Sequence, residues 1–213
     1  LSSFTPMTVA MGDATAAQVL ERFSQLVRES VIRWEGRIVK QIGDAFMLVF
    51  QEPRAALACA LEVESRTDNE PQFLAVRAGI HWGQVLYRAG DYVGSNVNIA
   101  SRLCTEADRH QILVTNDVRK EARDLPEVEF LRLGKRKLKG LAEGIVLFEA
   151  RARSGVGTKK HIDPVCGMEL ETAEVAARLS LEGVERSFCS DDCLRKFVVS
   201  PEKYGPAADK SNG

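Results

Sequence analysis

The feature that most constrains this chain is a two-residue turn, Gly43-Asp44, set between β-prone runs at residues 37–42 and 45–50. A glycine-containing pair between such runs closes a tight antiparallel hairpin, which fixes a carboxylate at a hairpin tip. The stretch before it is helical in pattern. Val19, Leu20, Phe23, Leu26, Val27 and Val31 recur at three- and four-residue spacing, which predicts an amphipathic helix over residues 14–34. Pro53 opens a second helix through about residue 65, at a first-turn position where its missing N–H costs nothing. Residues 73–81 and 84–88 read as a further hairpin, a helix is expected over 95–107, and strands are expected at 112–115, 129–133 and 145–150. With an opening strand expected upstream of Leu1, this order describes an α+β sandwich with helices packed on one sheet.

At 213 residues the chain has room for one domain of ordinary size and a small one. Its 29 Lys and Arg against 30 Asp and Glu give a net charge of -1, so no basic surface for nucleic acid is expected. No run approaches the roughly 18 apolar residues of a membrane span, and the N-terminus lacks the layout of a signal peptide. A cytoplasmic protein without membrane contact is therefore expected. The polar stretch RARSGVGTKK at 151–160 reads as a linker, which divides the chain into residues 1–153, a connection at 154–160, and a second domain at 161–207.

Several side chains in this pattern can carry chemistry. Asp44, at the hairpin tip, can lean toward a hard cation; magnesium on nucleotide phosphates needs one or two such carboxylates. Lys40 precedes Ile42 by two residues, so simple alternation places it on the same side as Ile38 and Ile42. Asn98 and Arg102, four apart on one helix, offer an amide and a guanidinium from the same face. A basic run, Lys135-Arg136-Lys137-Leu138-Lys139-Gly140, precedes the strand at 145–150.

The five cysteines fall into two sets. Cys59 and Cys104 stand alone in helices and read as small buried hydrophobes. Cys166, Cys189 and Cys193 crowd into the tail, where an odd count suits reduced thiols and a metal site better than disulfides. If Ser190 or Asp191 caps a helix, Cys189 and Cys193 can point at one site. Cys166 lies in the proline- and glycine-bearing Asp163-Pro164-Val165-Cys166-Gly167-Met168, a turn expected to expose its thiol. Three thiolates with a fourth position open suit zinc or another thiophilic ion, and a domain of about 45 residues gains from such a staple.

Four collinear blocks resemble class III adenylyl and guanylyl cyclases: VKQIGDAFM at 39–47, GIHWG at 79–83, DYVGSNVNIASRL at 91–103 and LKG at 138–140. The resemblance implies a ferredoxin-like βαββαβ sandwich that cyclises ATP to cyclic AMP and pyrophosphate, a reaction of intracellular signalling. It implies two Mg2+ or Mn2+ ions per site, with Asp44 as one of two metal-binding aspartates. Lys40 and Asp91 would read the purine, Asn98 and Arg102 would orient the ribose and stabilise transition-state charge, and Lys139, or its neighbour Lys137, would contact the terminal phosphates. The family forms its sites at a head-to-tail dimer interface, so a homodimer is implied. The family's other metal aspartate opens a segment similar to the Leu1-Ser2-Ser3-Phe4-Thr5 start of this chain, and it is expected immediately before Leu1.

The tail resembles the YHS domain through the 163–168 turn, Phe188-Cys189-Ser190 with Cys193 and Phe197, and Pro201-Glu202-Lys203-Tyr204. This implies a small α+β metal-binding module whose ion, zinc or copper, the resemblance does not fix. Ser187 stands where a tyrosine is usual, and His161 is the one histidine near the site. The rival to a cyclase with a metal-responsive tail is a non-catalytic module of the same fold that binds nucleotide or dimerises while the tail senses metal.

Overall fold

The computed structural model describes residues 1–141, 143–153 and 160–204. Residues 154–159 of the expected linker, and the last three of the expected domain at 161–207, lie outside these. The elements run α1 (Phe4–Met11), α2 (Asp13–Arg33), β1 (Arg37–Ile42), β2 (Ala45–Val49), α3 (Pro53–Asp68), β3 (Ala78–Ile80), β4 (Leu86–Arg88), β5 (Asp91–Val93), α4 (Ser95–Glu106), β6 (Ile112–Thr115), α5 (Asn116–Glu121), β7 (Val128–Arg136) and β8 (Ile145–Ala152). The tail adds β9 (His161–Ile162), β10 (Glu169–Leu170), β11 (Ala177–Leu181), β12 (Val184–Phe188) and α6 (Asp191–Val199). They form two compact units, one of Phe23–Arg66 with the described part of Val76–Val156, the other of Leu1–Arg22, Thr67–Ala75 and the described part of Gly157–Gly213.

The first unit is built on a four-stranded sheet in the order β3-β6-β8-β7, with β3 parallel to β6 and the other pairs antiparallel. Successive strand residues face opposite ways, and both faces of the sheet are covered. Ile112, Val114, Phe148 and Ala150 pack with Leu57 of α3, with Val118 of α5 and with Ala122 just after it. The alternate residues Leu113 and Leu147 pack with Leu103 of α4 and with Ala107 and Leu138. Double coverage explains why all of β6 is buried.

The β1–β2 hairpin closes with Ile42 opposite Ala45, so Gly43-Asp44 is its two-residue loop. Gly43 has φ 59, which places glycine at the first central position of the turn, as the mirror-image type II′ geometry requires. Phe46 meets Phe23 of α2 edge-on at 5.6 Å between ring centroids, and Gln41 Nε2 donates to Ser24 Oγ at 3.1 Å. The strands depart from the expected pattern at two places. A bulge between Ile38 and Lys40 breaks the alternation, so Lys40 shares the exposed side with Ile42 but not with Ile38. Residues 73–81 and 84–88 do not form a hairpin: β3 pairs with β6, and β4 pairs with β5.

In the second unit, Phe73 bridges Glu169, whose N–H donates to the Phe73 carbonyl at 3.0 Å. The Ser2 N–H donates to the Ala75 carbonyl at 2.8 Å, and Lys160 pairs with Asp68 at 2.8 Å. The β11–β12 hairpin and α6 enclose Phe188 and Phe197, whose rings sit 5.4 Å apart. No helix among the described residues is long and apolar enough to cross a membrane.

Candidate functional sites

The hairpin tip and the β4–β5 hairpin bring two of the expected nucleotide-site residues together. Lys40 of β1 donates from Nζ to Asp91 Oδ2 at the start of β5, and Asp91 Oδ1 accepts from the Tyr92 N–H at 2.8 Å. The hydrogen bond from Lys40, with that from Tyr92, holds the Asp91 carboxyl below the usual carboxylate range. Both side chains remain well exposed, so a donor and an acceptor stand side by side at the surface. Asp44 is half-buried at the hairpin tip. Asn98 and Arg102 are exposed on α4, and Lys137 and Lys139 are exposed in the turn after β7 while Leu138 between them anchors that turn in the core.

The GIHWG segment explains how α4 is positioned. A Cβ on Gly79 would lie 2.2 Å from Cys104 N and 2.6 Å from Ala100 O, so only glycine lets α4 lie directly on β3. His81 then brackets the start of α4: Nδ1 lies 2.9 Å from Thr115 Oγ1 and Nε2 lies 3.0 Å from Asn96 Oδ1. Asn96 Nδ2 in turn donates to the Gln84 carbonyl at 2.7 Å. His81 is thus a structural clasp. A cleft of about 760 Å³ beside it, lined by His81, Asp117, Arg119 and Arg132 among others, contains none of Lys40, Asp44, Asp91, Asn98, Arg102 or Lys139. Cys59 is buried in α3, where burial pushes its thiol up to about 12, an inert core residue as expected.

The tail cysteines converge. Cys166 and Cys189 are 3.6 Å apart at sulfur, as are Cys189 and Cys193, and all three are buried. Ser190 caps α6, its Oγ accepting from the Cys193 N–H at 3.2 Å, so the expected cap sets both thiols toward one point. The turn at Cys166 forms, with the Gly167 N–H donating to the Asp163 carbonyl at 2.8 Å, but the thiol points inward and is fully buried, contrary to the exposed thiol expected.

Asp163, which carried no role in the sequence reading, is the organiser. Its Oδ1 accepts from the N–H groups of Val165 at 2.8 Å and Cys166 at 3.3 Å, and its Oδ2 accepts from Cys189 N–H at 2.8 Å. One carboxylate therefore ties the two cysteine loops, and its own oxygen lies within 4.8 Å of all three sulfurs. Burial pushes its carboxyl above the usual range against the lowering effect of those N–H groups. Hydrogen bonds from Cys166 and Cys189 hold the Cys193 thiol low, whereas Cys166, bonded to Cys189 and Cys193 and buried, is pushed up. His161 bonds through Nδ1 to Ser187 Oγ at 3.2 Å and is not one of the grouped donors.

The fold is an α+β sandwich in which Lys40 and Asp91 pair near a carboxylate-tipped hairpin, and comparison with known proteins identifies the family. The chain belongs to the adenylate and guanylate cyclase catalytic domain family, which its residues 1–149 match, and residues 161–208 match the YHS domain. An uncharacterized protein of Mycobacterium tuberculosis is 37% identical over 149 residues, 70% of this chain and 39% of that protein. A pH-sensitive adenylate cyclase of the same species is 36% identical over 135 residues, 61% of this chain and 34% of that protein. This chain thus spans well under half the length of either relative. An adenylate cyclase structure from Trypanosoma brucei, solved in its monomeric state, shares the fold at TM-score 0.67 and 20% identity, over 74% of this chain and 88% of that one.

Proposed function

We propose that residues 1–153 form the catalytic part of an adenylyl cyclase that converts ATP to cyclic AMP and pyrophosphate as a head-to-tail homodimer, with the cysteine tail as a metal-binding regulator. The observation that carries the base choice is the Lys40–Asp91 pair. Adenine presents an acceptor at N1 and an amino donor at N6, which an ammonium and a carboxylate held side by side complement. Guanine presents the reverse, so each mismatched contact would leave a donor facing a donor or an acceptor facing an acceptor.

The reaction forms a bond between the ribose 3′ oxygen and the α-phosphorus and breaks the bond to the β-phosphate, whose electron pair leaves on pyrophosphate as the hydroxyl proton is released. Asn98 and Arg102, exposed on one helix face, orient the ribose and donate to the charge that develops on the phosphoryl oxygens. Lys139 meets the terminal phosphates. Asp44, a half-buried carboxylate at a hairpin tip, fits the oxygen chemistry of a hard divalent cation. Bound Mg2+ or Mn2+ would supply charge neutralisation at the phosphates and a more acidic hydroxyl. The exposure of the Lys40, Asn98 and Arg102 side chains, and their absence from the cleft beside His81, support a site completed by a second subunit. In the tail, three buried sulfurs, with Cys189 3.6 Å from both Cys166 and Cys193, suit a thiophilic ion.

The test is kcat/KM for ATP and GTP, measured on the protein expressed from its complete gene. ATP is expected to be preferred, by roughly ten- to a hundred-fold for each mismatched hydrogen bond. Lys40→Glu combined with Asp91→Cys is expected to erode that preference. A wild-type preference for GTP would overturn the base-reading assignment, and nucleotide binding without turnover of either substrate would favour the non-catalytic module.

A further inference from the structure

Met11 is the last residue of α1, and its thioether Sδ lies 3.9 Å from Cys193 Sγ. Two sulfurs that share one ion at about 2.3 Å stand about 3.8 Å apart in a tetrahedral shell. The separations Cys166–Cys189, Cys189–Cys193 and Cys193–Met11, at 3.6, 3.6 and 3.9 Å, all fall near that value. The end of α1 is held in place by more than this contact. Lys196, three residues after Cys193 on α6, donates from Nζ to the Ala10 carbonyl oxygen, and Met7 and Ala10 are buried. Gly12, at φ 84, stops the helix directly after Met11.

The competing fourth donor is already engaged. Both oxygens of Asp163 take backbone N–H groups from the two cysteine loops, and a carboxylate is in any case a hard ligand among soft ones. A thioether is neutral and soft, and it adds no further negative charge to a buried cluster of thiols. Such a donor favours a soft closed-shell ion over zinc, whose structural sites are built from thiolate and imidazole.

We propose that Met11 is the fourth sulfur of the centre, which makes it a thiolate–thioether site for a soft monovalent cation of the copper(I) class and lets loading of the site tie α1 to α6. The inference rests on reading the tail as a metal centre. Met11 lies in the stretch that matches the cyclase family and the cysteines lie in the YHS match, so a single ion draws donors from both. Because linkage is reciprocal, whatever holds α1 in place strengthens metal binding, and metal binding holds α1 in place.

The full chain, handled anaerobically, is titrated with Cu(I) and separately with Zn2+ against a colorimetric chelator, as wild type, Met11→Leu and Cys193→Ser. Leucine keeps the volume of methionine, so the fold is retained, which the thermal transition of the metal-free protein checks. Met11→Leu is expected to lower Cu(I) affinity by at least about tenfold and to change zinc affinity by no more than about twofold. In selenomethionine-labelled protein, copper-edge X-ray absorption is expected to show a selenium neighbour that Met11→Leu removes. Unchanged Cu(I) affinity with no selenium neighbour, while Cys193→Ser abolishes binding, would overturn the Met11 assignment and leave the tail a metal centre. Equal losses of copper and zinc in Met11→Leu would make Met11 a packing residue and also overturn it. Wild-type affinity for both metals in Cys193→Ser would overturn the tail reading itself.

Discussion

At the cysteine centre the side chains are held together: Asp163, Cys166, Cys189 and Cys193 are buried, with ligand atoms within 4.8 Å of one another. The residues proposed for the nucleotide site are dispersed over β1, the β1–β2 turn, β5, α4 and the turn after β7, and Lys40, Asn98, Arg102 and Lys139 face solvent. A buried cluster lies in a low dielectric, where each polar contact is strong and each unpartnered group is costly, so it must be completed by its own chain. An exposed constellation is cheap to hold open. It gains catalytic strength only when another surface excludes water from it. The cysteine residues should therefore act through stability and metal affinity, and the residues proposed for the nucleotide site through rate and base preference.

The sharpest way to break that contrast is Arg102→Ala. Loss of one donor to developing transition-state charge is expected to lower kcat by about 10²- to 10³-fold. The side chain is exposed, so stability should stay within about 0.5 kcal/mol of wild type by denaturant titration. A stability loss that accounts for the lost rate would show that Arg102 supports α4 and does not act on substrate.

Asp163→Asn should behave in the opposite way. The amide keeps one acceptor oxygen but turns an NH2 group toward backbone N–H groups that the carboxylate now accepts, either those of Val165 and Cys166 or that of Cys189. An unsatisfied buried donor costs about 1–3 kcal/mol, and metal-free protein is expected to lose that amount in urea unfolding. Wild-type stability in Asp163→Asn would mean that the two cysteine loops are held by something other than this carboxylate.

The same contrast governs what could be read from the sequence. Local patterns fixed local structure: the run 37–42 is β1 to the residue, Pro53 begins α3, and the helix expected at 95–107 is α4. Non-local pairing was hidden. The partner of β3 is β6, a parallel neighbour more than 30 residues along, and parallel pairing leaves no turn signature in the sequence. The β4–β5 hairpin was missed for a different reason. Its loop residues Ala89 and Gly90 have φ of 51 and 85, a mirror-image turn in which alanine occupies a left-handed position that usually takes asparagine or glycine. At the sites, the convergence of the three cysteines was legible by type and spacing, whereas the Lys40, Asp44, Asp91, Asn98 and Arg102 set drew its roles from family resemblance, and of these Lys40 and Asp91 meet in the structure. Asp163 looked like an ordinary residue of an Asp-Pro turn, although an Asp three residues before a cysteine can take that cysteine's N–H. Met11 carries no sequence signal at all, because its contact spans 182 residues.

The smallest effect concerns whether the Lys40–Asp91 pair, proposed to read the base, is assembled in the isolated chain. Lys40 and Asp91 are both well exposed, so their ion pair is screened and contributes little to stability. The sign of its pH dependence is nonetheless definite. The Asp91 carboxyl is held below its ordinary 3.8 by the Lys40 hydrogen bond first and the Tyr92 N–H second. A depressed folded-state value means that the pair's contribution is fully present above 3.8, where the unfolded chain is also ionised, and is lost as pH falls through the lower folded value. In a carboxyl-carbon NMR titration of the protein, Asp91 should therefore titrate below 3.8. Lys40→Met removes the larger cause, so the value should move back toward the ordinary one while the Tyr92 contact keeps part of the shift. The stability difference between wild type and Lys40→Met should be flat from neutral pH down to about 5 and shrink only in the acid range. An Asp91 that titrates at its ordinary value in wild type would show that the two side chains meet only once nucleotide or a second subunit is present, which would place even this part of the nucleotide site among the features a single chain leaves unfinished.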